Sequence, residues 1–449
     1  MKKIFRATRL ILLLCYVFAA VSVRCVFCAE MKNIGNDDSH EMHDHADHHA
    51  DNTHEAKKIS EHPDMHGFYG RYPMVRETTG TSWQPDSSPL EGVHAMVDDW
   101  IFMLHGFFDG IINMQGGPRG NDMTYSTNML MFMMQHQFAG GTWGARSMIS
   151  LEPTLGRDGY PLLLQTGETA NGQTHLIDRQ HPHDCIMELA TTYSYSLKDD
   201  SSLFFYFGTP GEPALGPTPF MHRFSGETIP DAPITHHWLD STHITYGVIT
   251  FGYIKDSIKI ENSFFRGREP DQFRWNIETP RLDSYSLRFT INPTEDLSIQ
   301  VSYGHLVSPE QLSPEMDVDR LTASATYNKI FPNVEWQSTF AYGQNWNHPG
   351  RSLPGLLAES TALFYERLFL FARGEFVYKD ELFQHDEQFD GEVFAVGKAS
   401  GGLLYDFFKT AEMRMGIGYS ASLSFYPDSI DFAYGDAPWS HIIFARIRI

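Results

Sequence analysis

The sequence predicts an all-β fold: a transmembrane antiparallel outer-membrane β-barrel of about sixteen strands, in the range 14–18, behind a disordered His-rich leader. Three observations predict it. From about Ala95 the apolar pattern has period two and keeps it to the end of the chain. The connections between the alternating runs are short and long by turns, as tight periplasmic turns and longer extracellular loops require. Aromatic residues make up 14% of the chain, a share that suits strands with interfacial rings. No later stretch approaches the ~20 apolar residues of a membrane helix.

Residues 1–29 read as a signal peptide. Lys2, Lys3, Arg6 and Arg9 form its charged start, and Leu10 to Val23 is an apolar run too short to span a membrane. Cleavage fits either at Ala20-Val21-Ser22 or at Ala29. Of Cys15, Cys25, Cys28 and Cys185 only the last survives late cleavage, so no disulfide framework is implied. A net charge of −22 leaves no basic face for phosphates and excludes nucleic acid as a partner.

Residues 30–66 have no apolar periodicity and cannot bury enough surface to fold alone. They carry His40, His43, His45, His48, His49 and His54, then His62 and His66, with acids interleaved. Neutral imidazoles and carboxylates suit Cu(II), Zn(II) or Ni(II), so the segment reads as a metal-collecting leader. The other reading is a solvated linker that chelates only incidentally. Residues 67–94 look like a Pro/Gly-rich connector, and 95–449 like the barrel.

Strands are expected at 97–113, 124–138, 141–153, 183–197, 201–209, 241–254, 257–266, 284–292, 297–306, 318–329, 333–344, 356–365, 368–379, 393–407, 410–425 and 439–449. In 284–303 the residues Tyr285, Leu287, Phe289, Val301 and Tyr303 alternate with Ser286, Arg288, Thr290 and Ser302. One face meets lipid and the other a wet lumen. On the same logic Glu188, Arg288, Arg373, Glu375, Arg446 and Arg448 are expected to line the pore. Cys185 alternates onto the apolar side with Met187 and Leu189. Met129, Met131 and Met133 share a face; thioethers suit Cu(I), but lipid-facing or packing side chains account for them more simply.

Two histidine-acid clusters flank one β-hairpin. His181, His183 and Asp184 stand before one strand, and His236, His237, Asp240 and His243 open the strand after next. The two are therefore about 10 Å apart at the extracellular rim. Met221 and His222 fold in from the long loop between them. These spacings supply imidazole and carboxylate ligands for a transition metal. Alternatively the groups brace the loops through Arg179, Arg223 and neighbouring acids. Asp184 and Glu188 are read either as a cation-attracting pair or as ordinary lining paired to arginines. A surface hydrolase built on Ser241, His243 and Asp240 is disfavoured, because adjacent strand residues point to opposite faces and no nucleophile elbow is present.

The runs GTSWQPDSSP, LHGFFDG, QGGPRG, GYPLLLQTGE, DRQHPHD, GEPALGPTPFMHR, HHWLDSTHITYG, GREPDQFRW, LDSYS and VSYGHLVSPE span about 80 to 310. On them the chain resembles a porin-like family of bacterial outer-membrane barrels associated with copper and heavy-metal resistance gene clusters. The resemblance implies a metal-resistance context and carries no assigned site residues. The expectation is a Gram-negative outer-membrane protein, not an enzyme, that handles transition-metal ions with copper preferred. The alternative is a general solute porin. No cofactor is required beyond Cu or Zn ions as cargo. The expected partners are outer-membrane lipid, periplasmic metal-efflux components and two further copies in a homotrimer.

Overall fold

A computed structural model describes residues 66–89, 92–383, 389 and 391–449. The signal peptide and the leader histidines from His40 to His62 lie outside the described residues. Sixteen strands form the wall: β1 (Trp100–Met114), β2 (Asp122–Phe138), β3 (Gly141–Ile149), β4 (Ile186–Ser196), β5 (Ser201–Gly208), β6 (Val248–Lys255), β7 (Ile258–Phe265) and β8 (Ser284–Thr294), then β9 (Leu297–Leu306), β10 (Asp317–Phe331), β11 (Val334–His348), β12 (Ser352–Phe364), β13 (Leu368–Lys379), β14 (Phe394–Lys409), β15 (Arg414–Phe425) and β16 (Trp439–Arg448). Each pairs antiparallel with its chain neighbours, and β16 returns to β1, so the sheet is a closed barrel. Closure is what lipid demands, since an open edge would leave N–H and C=O groups unsatisfied. A short strand, Val93–Val97, folds back on the first residues of β1, beyond the reach of β16.

Seven connections at one end are tight, for example 139–140, where Ala139 and Gly140 both take positive φ and match the strand twist. The opposite end carries the long loops, with one short exception at 349–351. Leu287, Phe289, Val301, Ile417 and Ile443 stand exposed on the outer face. Rings gather near both ends: Phe138, Tyr195, Tyr327 and Tyr365 beside the tight turns, and Tyr285, Tyr303 and Trp439 beside the long loops. An apolar band between aromatic girdles is the outer surface of a membrane barrel.

All sixteen expected strands are present. Only 241–254 starts markedly late, at Val248. Residues 241–247 are instead buried as a turn and loop inside the barrel. Cys185 also departs from expectation. A bulge at Met187 breaks the register between β3 and β4, so Met187 turns inward while Cys185 sits half-buried ahead of the strand. Met129, Met131 and Met133 face the lumen rather than lipid.

The connector is the larger surprise. Residues 66–89 lie inside the tight-turn end of the lumen and meet the wall strand by strand. The Arg146 guanidinium donates to the Thr78 carbonyl at 3.0 Å and also to the Gly80 carbonyl. Arg288 reaches the Thr81 and Ser82 hydroxyls, each at 2.9 Å. The Asn292 amide donates to the Gln84 carbonyl at 2.8 Å, and that of Asn328 to the Ser87 carbonyl at 2.7 Å. A polar, Pro/Gly-rich stretch reads as a linker because its groups suit water; here the lumen wall takes the place of water.

The seam between β1 and β16 is held by a fork-on-fork ion pair. Arg446 donates through Nε and Nη2 to both oxygens of Asp109, at 2.7 and 2.5 Å. Both side chains are buried, so removing one leaves the other charged without its partner. Asp109→Ala is predicted to destabilise the barrel by about 3 kcal/mol in urea unfolding from vesicles. A loss below about 0.5 kcal/mol would remove the seam pair from the account.

Candidate functional site

Three loops from the open end fill the lumen above the N-terminal segment. Residues 150–185 carry a hairpin, Tyr160–Thr169 with His175–Gln180. Residues 209–247 descend deepest and carry two single turns, α1 (Phe224–Glu227) and α2 (His236–Leu239). Residues 266–283 close the side. The Ser225 N–H meets Gln337 of β11, only three residues from a tight turn, which marks how far the second loop penetrates.

A chain of ion pairs ties that loop to the wall. Arg223 donates to Asp240 at 2.9 Å and to Glu359 of β12 at 2.5 Å. Glu359 also accepts from Arg373 of β13 at 3.0 Å, and Lys398 of β14 pairs with Asp231. The Glu375 carboxylate accepts from both the N–H and the hydroxyl of Thr235, at 3.1 and 2.9 Å. The Trp238 main chain lies on Gly343, where any Cβ would displace it, and its ring packs against Gly355. The bracing expected of Arg223 is therefore present, whereas Arg179 holds only the Asp158 and Gly159 carbonyls of its own loop.

The loops bring five imidazoles together inside the barrel near its long-loop end, where the His237 carbonyl accepts from Asn345, three residues from the end of β11. Ring centroids step from His181 to His237 (6.1 Å), His237 to His236 (5.5 Å), His236 to His243 (5.2 Å) and His243 to His183 (5.4 Å). All five are buried. The Nδ1 of His183 faces the Glu152 carboxylate at 2.8 Å, that of His236 faces Asp240 at 2.7 Å, and that of His243 faces the Asp240 carbonyl at 2.8 Å. Such partners place the proton on Nδ1 and turn Nε2 outward as a lone-pair donor. The Nε2 atoms of His183 and His243 are buried with no hydrogen-bond partner. A Cβ at Gly167, where φ is +108°, would run into the His237 ring.

Asp240 joins this group as its anchor, with Oδ2 also accepting the Phe220 N–H at 3.0 Å. Two expected members stand apart. Asp184 pairs with Arg274 at 3.0 Å, and His222 lies beside His105 of β1, ring centroids 6.2 Å apart. Glu152, Glu168 and Glu269 escaped the sequence reading because each comes from a different loop position with no histidine beside it. Glu188 accepts from the Tyr206 hydroxyl at 2.8 Å, Arg288 pairs with Glu261 at 2.9 Å, and Arg448 reaches Glu227 at 3.3 Å. With Arg373, Glu375 and Arg446 these residues do face the lumen, but against protein. Ser241 accepts from Arg320 at 3.1 Å and His243 bonds a main-chain carbonyl, so these residues assemble no triad.

Burial favours the neutral form of His181, His236 and His243. It pushes His181 down to about 3, helped by the neighbouring His237 and His183, with the Glu269 charge opposing. His243 is driven well below its ordinary value and His236 is lowered, both chiefly by burial. Burial alone would raise Asp240, but the His236 hydrogen bond and the Arg223 charge hold it well below the carboxylate range. Among the described residues no three His, Cys, Asp or Glu side chains converge as a closed metal cage. The arrangement is a closed file of imidazoles, its ends His181 and His183 only 6.5 Å apart.

No protein-family model and no curated protein matches the sequence. Solved structures of similar fold include OmpF of Salmonella typhi in complex with daunomycin (TM-score 0.49, 9% identity, covering 80% of this chain and 100% of that one). The outer-membrane channel DcaP of Acinetobacter baumannii gives 0.46 and 11%, again covering 80% and 100%. OmpT of Vibrio cholerae, an outer-membrane protein, gives 0.45 and 9%, covering 79% and 99%. At these identities the likeness is one of fold alone.

A depressed imidazole pKa binds fewer protons in the folded state than in the unfolded state, whose value is about 6.5. The stabilisation is therefore present above about pH 6.5 and is lost as pH falls toward about 3. Around His181 the facing groups are Glu168, Glu269, His183, His236 and His237. Amide protection factors in loop 209–247, taken relative to the intrinsic exchange rate at each pH, are predicted to fall as pH drops from about 7 to about 4, and less so in His181→Asn. Equal protection at both pH values would contradict this.

Proposed function

We propose that this protein is a porin-like outer-membrane channel, restricted by its own inserted loops, in which the imidazole file handles transition-metal ions, with copper preferred. One observation supports the reading above others: five buried imidazoles stand 5.2–6.5 Å from their neighbours, and three of them have Nδ1 engaged. Imidazole suits Cu(II) and Zn(II), and in the usual order of divalent affinity copper binds tighter. Conduction needs sites that hold an ion loosely and release it, which spaced donors provide better than a closed cage. A recess of about 40 Å3 above His237 is lined by Glu310, Asp380, Glu381, Arg320 and Lys379, so carboxylates stand at the approach. In this reading the leader collects the metal, and its histidines from His40 to His54 are the first ligands.

The second reading is a general solute porin, favoured by the absence of a converged donor set among the described residues. Vesicles carrying the full-length protein separate the two. Glu152→Gln, which loosens His183, is predicted to lower Cu(II) and Zn(II) flux about tenfold while leaving sugar flux unchanged. If metal and sugar fluxes move together, or neither moves, the general porin is the right description. The leader is tested separately: equal copper affinity and equal copper tolerance of cells with and without residues 30–66 would remove it from the mechanism.

A further inference from the structure

A second donor cluster lies nearer the tight-turn end and shares no residue with the imidazole file. On the β1–β2 ladder Met103 stands directly across from Met133, and His105 across from Met131. Opposed side chains on one face have Cβ atoms ~5 Å apart, so the four form one patch on the lumen wall. Met74, from the inserted N-terminal segment, and His222, from loop 209–247, close over the patch. The six line a cavity of about 90 Å3, room for a coordinated ion and some water. The His222 Nε2 is buried and has no hydrogen-bond partner.

The composition is the unusual part. Elsewhere the inward positions are mostly serine, threonine, arginine and glutamate, as a barrel lumen requires. Here four thioethers from three separate segments surround one space. Thioether sulfur is a soft, neutral donor that hardly competes for hard or borderline divalent ions, whereas it suits d10 monovalent ions. Glu77 and Glu227 also line the cavity, but Glu77 accepts from the Phe68 and Tyr69 N–H and Glu227 from Arg448. The thioethers and imidazole are its neutral donors, which favour a single positive charge over a double one in a buried site.

We propose that this pocket binds a soft monovalent metal ion, Cu(I) or Ag(I), through the Met131 and Met133 thioethers and the His222 imidazole, with Met74 and Met103 completing the shell. The site is independent of the imidazole file: either can fail without the other. Silver(I) is the probe, used on the refolded full-length chain in chloride-free buffer. Calorimetry is expected to show the loss of one Ag(I) equivalent in the double variant Met131→Leu and Met133→Leu, with Zn(II) uptake unchanged. Unchanged Ag(I) stoichiometry and affinity in a variant that melts like the parent would overturn the proposal. A measurement on the unaltered protein guards against a folding defect. Ag(I) is expected to slow peroxide oxidation of Met131 and Met133, read by peptide mass, and to leave Met129 unaffected. Equal oxidation rates with and without Ag(I) would equally overturn it, and would leave the methionines as packing side chains.

Discussion

The structure depends on the pairing of charges that have been buried inside a filled barrel. A lumen wall carrying Arg146, Arg288, Arg373, Arg446, Glu261, Glu359 and Asp109 is ordinary when water fills the pore. Here the N-terminal segment and loop 209–247 displace that water, and all of these side chains are buried. A buried charge without a partner costs several kcal/mol, so the inserted segments are accepted only because they bring partners. Arg223 does this most visibly, joining Asp240 of its own loop to Glu359 of the wall. Arg288 does it from the other side, binding Glu261 and the hydroxyls of residues 81 and 82.

The same pairing orients the donors. Asp240 is fixed by Arg223 and the Phe220 N–H, and in turn fixes His236 through its carboxylate and His243 through its carbonyl. Wall charges therefore set ring orientation through one loop carboxylate. The filled lumen also bears on transport. Beside the inserted segments lie spaces of about 90 and 40 Å3, and one of about 510 Å3 between loops 150–185 and 266–283. With loop 209–247 seated in the lumen, passage of a solute of porin size would require that loop to move.

The barrel was legible in the sequence because lipid is an unforgiving solvent. Leu287, Phe289, Ile417 and Ile443 have to be apolar, and their alternation with Arg288 and its like fixes both strand and face. The contents of the lumen were not legible. A polar inward position looks the same whether it meets water or another segment, so 67–89 read as a linker. Residues 241–247 alternate like a strand and yet are buried on every side. The histidine clusters were found by their spacing, but their burial beneath the inserted loops was not. Glu152, Glu168 and Glu269 could not be found at all, since only the folded loops bring them to the rings. The methionines on β2 were seen as one face, with lipid-facing and packing both open; the inserted segments make it a packing face toward the lumen.

The most direct test of the account is the planar-bilayer conductance of the full-length protein against Arg223→Gln. With the loop tethered, the parent should conduct far below an open sixteen-stranded pore, and the variant should rise severalfold with frequent large openings. A parent that already conducts as an open pore, unchanged by the substitution, would contradict the claim that paired charges hold the loops in the lumen.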